Sequence, residues 1–403
     1  MEIRGDIVIA GSCRTAIGKA GSKPGSLSKI HASELLRLCF AETLRRCGLE
    51  KERVGLIHEV IAGNVGQPAD TPNIARVAAL KAGIPNHVPA YTVQRNCGSG
   101  LQALISACQL IRASDAQVVL VGGTESMSQI PHIAPGIRYG LGFGDGILLD
   151  ALKAGLRDPL TGELMGETAE NIAQRYCISR EDQDAFAADS HQKAFRATRE
   201  GKFRSQIVPV GIPGKELFQD EGIAPSTSRA ALANMPKEYF FREGGSVHYG
   251  NACQVSDGAA AFLVLTREAA DRLGIVPEAE VVGYAVTGCE PSYMGMGPAT
   301  AIPAALKHAG LDIGVVDYFE INEAFAAQIR ALQCVLSIPD EQLNVWGGAI
   351  ALGHPVGATG AILVSKLIAI LQDHNAAIGC ISLCIGGGQG IAAIIRNAKG
   401  GTQ

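Results

Sequence analysis

The sequence predicts an α/β architecture in which one unit is used twice and the sheets are covered by helices on both faces. Three observations predict it. Apolar segments of strand length alternate with segments of helical period and length. Some strand segments, such as Val118 to Val121, are apolar without interruption, the pattern of a strand buried on both sides. Two pairs of segments also match at a nearly constant offset of about 260 residues, which marks an internal duplication.

Taken in order, Glu34 to Cys47 has helical periodicity, Gly48-Leu49 closes it, and Val54 to Val60 leads through a strand to Asn64. The same unit returns as the helix Ala301 to Ala309, the closing Gly310-Leu311, and the strand Val315 to Ile321 that leads to Asn322. In the second pair, Pro89 to Gln94 reads as a strand, Asn96-Cys97-Gly98-Ser99-Gly100 turns into the helix Leu101 to Ile111, and the strand Gln117 to Val121 ends at Gly122-Gly123. Its counterpart runs as a strand from Val345 through Gly353-His354-Pro355-Val356-Gly357 into the helix Ala361 to Leu371. The strand Ala377 to Leu383 then ends at Gly386-Gly387-Gly388. Between the halves, 129–246 is rich in Gly, Pro and charge, and holds one long amphipathic helix from Ser179 to Glu200, with Ser179 at its N-cap. A long insertion of this kind reads as a lid or binding loop.

Composition narrows the function. The 403 residues are 47% hydrophobic and 18% charged with a net charge of -4, so neither a basic nucleic-acid footprint nor a disordered acidic chain fits. No apolar run reaches membrane-spanning length, and Met1-Glu2-Ile3-Arg4 has no leader pattern, which predicts a soluble, cytoplasmic protein that binds no membrane. The 11 cysteines are odd in number and show no C-x-x-C, so a disulfide framework or a metal site is not expected. Glycine, with 49 residues, is about 12% of the chain against a usual share of about 7%.

The reactive side chains lie in the glycine-rich turns. Cys97 precedes a helix, where the dipole and free N–H groups are expected to lower its thiol pKa and to hold an oxyanion. His354 occupies the equivalent turn of the second half. Taken alone, each fits a tight turn or a satisfied loop residue, but the duplication brings the two to one site as a thiol and its base. Cys384, after the last apolar strand and before Gly386-Gly387-Gly388-Gln389-Gly390, suits a second acid/base, with the Gly386 amide beside it for a developing negative charge. That glycine run matches neither a P-loop nor a dinucleotide fingerprint. Asn322 suits a group that holds a water or a carbonyl oxygen, while Glu323 by itself reads as a solvated carboxylate or a helix-end charge.

These motifs resemble those of the thiolases, acyl-CoA C-acyltransferases that make or cleave 3-ketoacyl-CoA. The resemblance covers Arg14 to Gly18, Asn96 to Gly100, Gly122 to Ser128, Met165 to Asn171, Gly250 to Ala261, Asn322 to Ala326, Gly347 to Gly360 and Cys384 to Gly390. It implies the five-layered αβαβα thiolase fold with two βαβαβαββ halves. The N-terminal half would be 1–128 with 247–275, the inserted loop domain for CoA, acyl and oligomer contacts 129–246, and the C-terminal half 276–403. It also implies homodimers or homotetramers, with CoA as substrate or product and no permanently bound cofactor or metal. By resemblance Cys97 is the acylated nucleophile, His354 its activating base and Cys384 the acid/base at the α-carbon. One oxyanion site would be His354 with a water on Asn322, the other the amides of Cys97 and Gly386.

Two departures bear on the substrate. Leu164 stands before Met165-Gly166 where the short-chain biosynthetic pattern has His, and Cys253 follows Gly250-Asn251-Ala252 where it has Ser. Both leave room for longer or branched acyl groups, beside Met294, Ala324 and Phe325 at the family's acyl-pocket positions. The resemblance thus implies acetyl-CoA C-acetyltransferase or a short-to-medium- or branched-chain 3-ketoacyl-CoA thiolase. The alternatives are a decarboxylating ketoacyl synthase, which would carry a second His where Cys384 stands, and a non-catalytic acyl-CoA or lipid binder.

Overall fold

The computed structural model describes residues 6–399; Met1 to Arg4, read above as lacking a leader, lie outside them. Nine strands form one hydrogen-bonded path in the order Tyr318–Ile321, Ile378–Ile385, Gln389–Asn397, Ala279–Gly288, Ile7–Thr15, Ser256–Thr266, Val118–Ser126, Glu59–Gly63 and Ala90–Val93. Apart from one strand, the path is symmetric about its middle. Counting the strands of the path along the chain, the first half reads third, second, fourth, fifth, first from its edge, while the second half lacks a counterpart of the third strand and reads second, third, fourth, first; the two first strands meet through only the pairs Val8↔Glu280 and Ile9↔Ala279. In the first half Glu59–Gly63 and Val118–Ser126 run parallel and Ser256–Thr266 is antiparallel to its neighbours, and in the second Tyr318–Ile321 and Ile378–Ile385 run parallel and Gln389–Asn397 is antiparallel to its neighbours.

Five layers follow from alternation along the strands. At Gly122 a side chain would meet Leu36 and Phe40 of the outer helix Ala32–Arg46, whereas at Gly123 it would meet Gly357, Ala358 and Gly100 between the sheets. The layer between the sheets consists of Ser99–Arg112 and Thr359–Asp373, packed on each other. On the far side Gly297–Ala309 covers the second half, with Ala305 and Ala309 against Gly283. Both outer helices end as the sequence predicts: Gly48 and Gly310 are left-handed, with φ of 61° and 67°.

Several sequence expectations need correction. Val54 and Val315 do not start strands; Lys51–Leu56 and Ile313–Val315 are 3-10 turns, so the strands begin at Glu59 and Tyr318. Duplication carries the same departure into both copies. The strand expected to end at Gly122-Gly123 continues to Ser126, because these glycines serve close packing and do not break the strand. No strand precedes His354: the second half keeps a single bridge, Phe319↔Leu343, then the short helix Ala349–Leu352. Cys384 lies inside the strand Ile378–Ile385, and a further strand follows it. The inserted region holds two substantial helices, Met165–Arg175 and Arg180–Arg199, the second capped by Ser179 as predicted.

The inter-sheet helices approach through glycine. A Cβ on Gly100 would lie 2.7 Å from Ala361 N, and one on Gly123 would lie 2.6 Å from the Gly357 carbonyl. Backbone cannot move aside as a flexible side chain can. Gly100→Ala is therefore expected to destabilise the protein by about 1–3 kcal/mol, read by urea denaturation, and to lower activity with it.

Candidate active site

The turn that carries Cys97 is tied to its own helix. Ser99 Oγ accepts from the Arg95 amide at 2.8 Å and donates to the Asn96 carbonyl at 2.7 Å, while Asn96 is left-handed at φ 42°. This leaves Cys97 half-buried, two residues before the first helical turn. Its thiol pKa is raised, not lowered as the sequence suggests. Burial is the largest cause, and hydrogen bonds from the Gly386 amide and its own amide pull the other way.

His354 follows Gly353, whose φ of 110° suits glycine and where a side chain would strike Ser256. Its amide donates to the Gln254 carbonyl at 3.0 Å and to Ser256 Oγ at 3.2 Å. The hydrogen bonds also assign the tautomer. Thr359 has one hydroxyl proton, which goes to the Pro355 carbonyl at 2.9 Å. Toward the imidazole its oxygen must accept, so the 2.6 Å contact makes Nδ1 the protonated nitrogen. Nε2 keeps its lone pair and faces Asn322 Nδ2 at 3.5 Å. Burial pulls the imidazole pKa down to about 4, so it is neutral at physiological pH. At rest, therefore, Cys97 is a thiol and His354 a neutral imidazole.

Asn322 follows the strand Tyr318–Ile321, and its buried Oδ1 has no protein partner. Cys384 is fully buried in an apolar cluster with Met294, Ala324 and Phe325, against which Met165 and Phe241 pack. Its thiol is pushed well above the ordinary cysteine value by burial first, then by Cys97, Cys253 and Cys289. Cys253, half-buried, donates its amide to the Ala324 carbonyl at 2.9 Å and has its thiol pushed up to about 12. A Cβ on Gly386 would sit 3.2 Å from Met165 Sδ, so this turn closes the wall opposite the inserted region. Leu164 is half-buried at the N-cap of Met165–Arg175 and is not one of the side chains packed around Cys384. Among the described residues, no group of three or more His, Cys, Asp or Glu could hold a metal ion.

Family models described as "Thiolase, N-terminal domain" and "Thiolase, C-terminal domain" match residues 7–268 and 275–397. The chain belongs to the thiolase family. It is similar to a Staphylococcus epidermidis protein described as a probable acetyl-CoA acyltransferase, at 45% identity over 96% of this chain and 98% of the relative. It is also similar to the Syntrophomonas wolfei acetyl-CoA acetyltransferase, at 43% identity over 97% and 99%. Among solved structures, human mitochondrial 3-ketoacyl-CoA thiolase in complex with CoA matches with a TM-score of 0.95 and 38% identity, over 98% of this chain and 99% of the other. As a thiolase, this protein is an acyltransferase.

Sequence reasoning missed several residues of this thiolase's site. Glu125 is buried and accepts four hydrogen bonds, from Asn64 Nδ2 and the amides of Val65, Gly66 and Gly357. It therefore ties the first half to the loop after His354. Burial raises its pKa to about 7. Glu323 is not solvated: it is buried and accepts from Ser190 Oγ, Asn344 Nδ2 and the Ile350 amide. Thr359, which sets the imidazole tautomer, reads in sequence as an ordinary helix-start residue.

Two outcomes are expected. Thr359→Val keeps the shape but removes the acceptor for Nδ1–H, and should slow acylation of Cys97 by about 10- to 100-fold, with Thr359→Ser restoring most of the rate. Because His354 is depressed from 6.5 to about 4, it stays neutral down to that pH, and the acid limb of the acylation rate should lie well below pH 6.5. A limb centred near the ordinary histidine value would contradict the geometry.

Proposed function

We propose that this thiolase forms or cleaves 3-ketoacyl-CoA in two half-reactions through an acyl-Cys97 intermediate. The reading rests chiefly on convergence: the Gly386 carbonyl of the other half accepts from Asn96, the neighbour of Cys97, at 2.9 Å, Cys97 lies close enough to Cys384 to help raise its thiol, and Asn322 and His354 meet at 3.5 Å. In the first half-reaction, His354 Nε2 takes the Cys97 proton as sulfur attacks the thioester carbonyl, the amides of Cys97 and Gly386 hold the tetrahedral oxygen, and the CoA sulfur leaves with the proton of the Cys384 thiol. In the second, the Cys384 thiolate left behind takes the α-proton of a second acyl-CoA. The enolate oxygen rests on the Nε2–H that His354 has kept and on a water held by Asn322, the α-carbon attacks acyl-Cys97, and the freed sulfur takes its proton back from His354. The acyl-cysteine stage lets one site process two thioesters in turn.

Acetyl-CoA C-acetyltransferase, or a short-to-medium- or branched-chain 3-ketoacyl-CoA thiolase, fits the apolar surroundings that Met165, Met294, Ala324 and Phe325 make around Cys384. Leu164 acts at their rim and Cys253 beside the pantetheine arm. Coenzyme A is then substrate and product, with no cofactor bound permanently. Cys384 in place of a second His argues against a decarboxylating synthase, and two paired thiols argue against a pure acyl-CoA binder. Free cysteines suit a reducing compartment such as the cytoplasm, and no helix among the described residues is long and apolar enough to cross a membrane. A homodimer or homotetramer is supported by the exposed Tyr139, Leu141, Phe143, Ile147 and Leu148 of the inserted region. Within the chain, the same division into 1–128 with 247–275, 129–246 and 276–403 is proposed.

The test is thiolysis of 3-ketoacyl-CoA by free CoA, as a kcat/KM series over chain length and branching. Absence of turnover across the series, with Cys97 reduced and the protein folded, would reject the reading. Cys97→Ser should abolish the acyl adduct seen by mass spectrometry on mixing with acyl-CoA. Cys384→Ser should keep the adduct and lose carbon–carbon bond formation by about 100-fold or more. An unchanged condensation rate in Cys384→Ser removes Cys384 from its role.

A further inference from the structure

The proposed tetrahedral-oxygen site takes one donor from each half of the molecule. The Cys97 amide belongs to the turn before Ser99–Arg112, and the Gly386 amide to the turn between Ile378–Ile385 and Gln389–Asn397. The second turn is inherently loose. Gly386, Gly387 and Gly388 follow one another, the last two at φ 90° and 82°, so rotation about the backbone bonds on either side of Gly386, whose N–H is the donor, meets little steric resistance from a side chain.

Few hydrogen bonds hold this turn. The Gly388 amide donates to the Ile385 carbonyl at 3.2 Å and the Cys289 amide to the Gly388 carbonyl at 2.7 Å, both within the second half. Two bonds come from the nucleophile turn: Arg95 Nη1 to Gln389 Oε1 at 2.8 Å, and Asn96 Nδ2 to the Gly386 carbonyl at 2.9 Å. The last joins the residue before one donor to the residue that carries the other. Asn96 is itself fixed, since its carbonyl accepts from Ser99 Oγ at 2.7 Å and its φ of 42° is one that asparagine tolerates better than most residues.

We infer that Asn96 is a positioning residue for the tetrahedral oxygen: its side-chain amide ties the Gly386 turn to the nucleophile turn and so fixes the separation of the two donors. The inference rests on the thiolase reading given above. An oxyanion hole works only while its donors stay about 2.7–3.1 Å from where the charge develops, and a misplacement of about 1 Å can cost about 100-fold. A donor is required opposite the Gly386 carbonyl. The asparagine amide supplies one, whereas a carboxylate of the same shape cannot.

The test compares two reactions of the same sulfur. Acylation of Cys97 by acyl-CoA passes through the tetrahedral oxyanion; alkylation by iodoacetamide does not. Asn96→Gly accepts the left-handed backbone and removes the tether. It should slow acylation by about 10- to 100-fold, with iodoacetamide alkylation within about twofold of wild type at the alkaline plateau of its pH profile. Asn96→Asp should behave like Asn96→Gly near about pH 8 and recover relative to it as the pH is lowered toward about 4, where the protonated share of a carboxyl becomes substantial and can donate to the Gly386 carbonyl. Equal acylation rates in wild type and Asn96→Gly, or acylation and alkylation falling together, or no recovery of Asn96→Asp relative to Asn96→Gly on acidification, would overturn the inference. Wild-type protein that forms no acyl adduct would instead overturn the thiolase reading, and the role of Asn96 with it.

Discussion

The N-terminal turns of Ser99–Arg112 and Thr359–Asp373 meet backbone against backbone through Gly100 and Gly360, with Gly357 against Gly123 of the strand beside them, and this contact sets where the loops that lead into both helices lie. Helices packed side chain to side chain usually sit about 8–10 Å apart. Without a Cβ at the crossing, the two turns come closer. Cys97 and His354 are each carried by a loop that leads into one of these helices. The close approach of symmetric helix starts is what the proposed single site depends on.

Such an approach buries polar backbone and needs charged anchors to keep it in register. Glu125 accepts from Asn64, Val65 and Gly66 on one side and from the Gly357 amide on the other. Glu323 does similar work beneath the Asn322 turn, linking it to Ser190 of the inserted region and to Asn344 and Ile350. A carboxylate taken out of water is expensive unless several donors surround it, and both have at least three. Removing one partner of such a network exposes the full desolvation penalty of the rest. These acids are held for geometry, and burial, which raises the pKa of both, is what that geometry costs.

The same burial shapes the chemistry. It raises the thiols of Cys97 and Cys384 and lowers the imidazole of His354, so each group favours its uncharged form. In the proposed reaction charge develops only as bonds change, on an oxygen for which the amides of Cys97 and Gly386 are the proposed donors. Preoriented amides in a site poor in water stabilise such charge without having to reorganise. A second thiol in an apolar cluster is also chemically suited to exchange a proton with a carbon acid, since neither partner is strongly solvated.

Much of this was legible in the sequence. The offset between copies, the alternation of strand and helix, and glycine-flanked Cys97, His354 and Cys384 are local patterns, and a period or a turn signal survives without knowledge of partners. What the sequence could not carry was the non-local balance of solvation and contact. Glu323 reads as a surface charge because its partners, Ser190 and Asn344, lie far away in the chain. Gly122-Gly123 reads as a strand end because nothing local announces Phe40 on one face and Gly357 on the other. The thiol of Cys97 is expected to be acidic from its helix alone, yet it is raised, because burial is a property of the whole fold. The glycine excess gave the addresses of the close contacts; only tertiary structure decided which atoms meet there, since hydrogen bonding and desolvation depend on distances that sequence order does not contain.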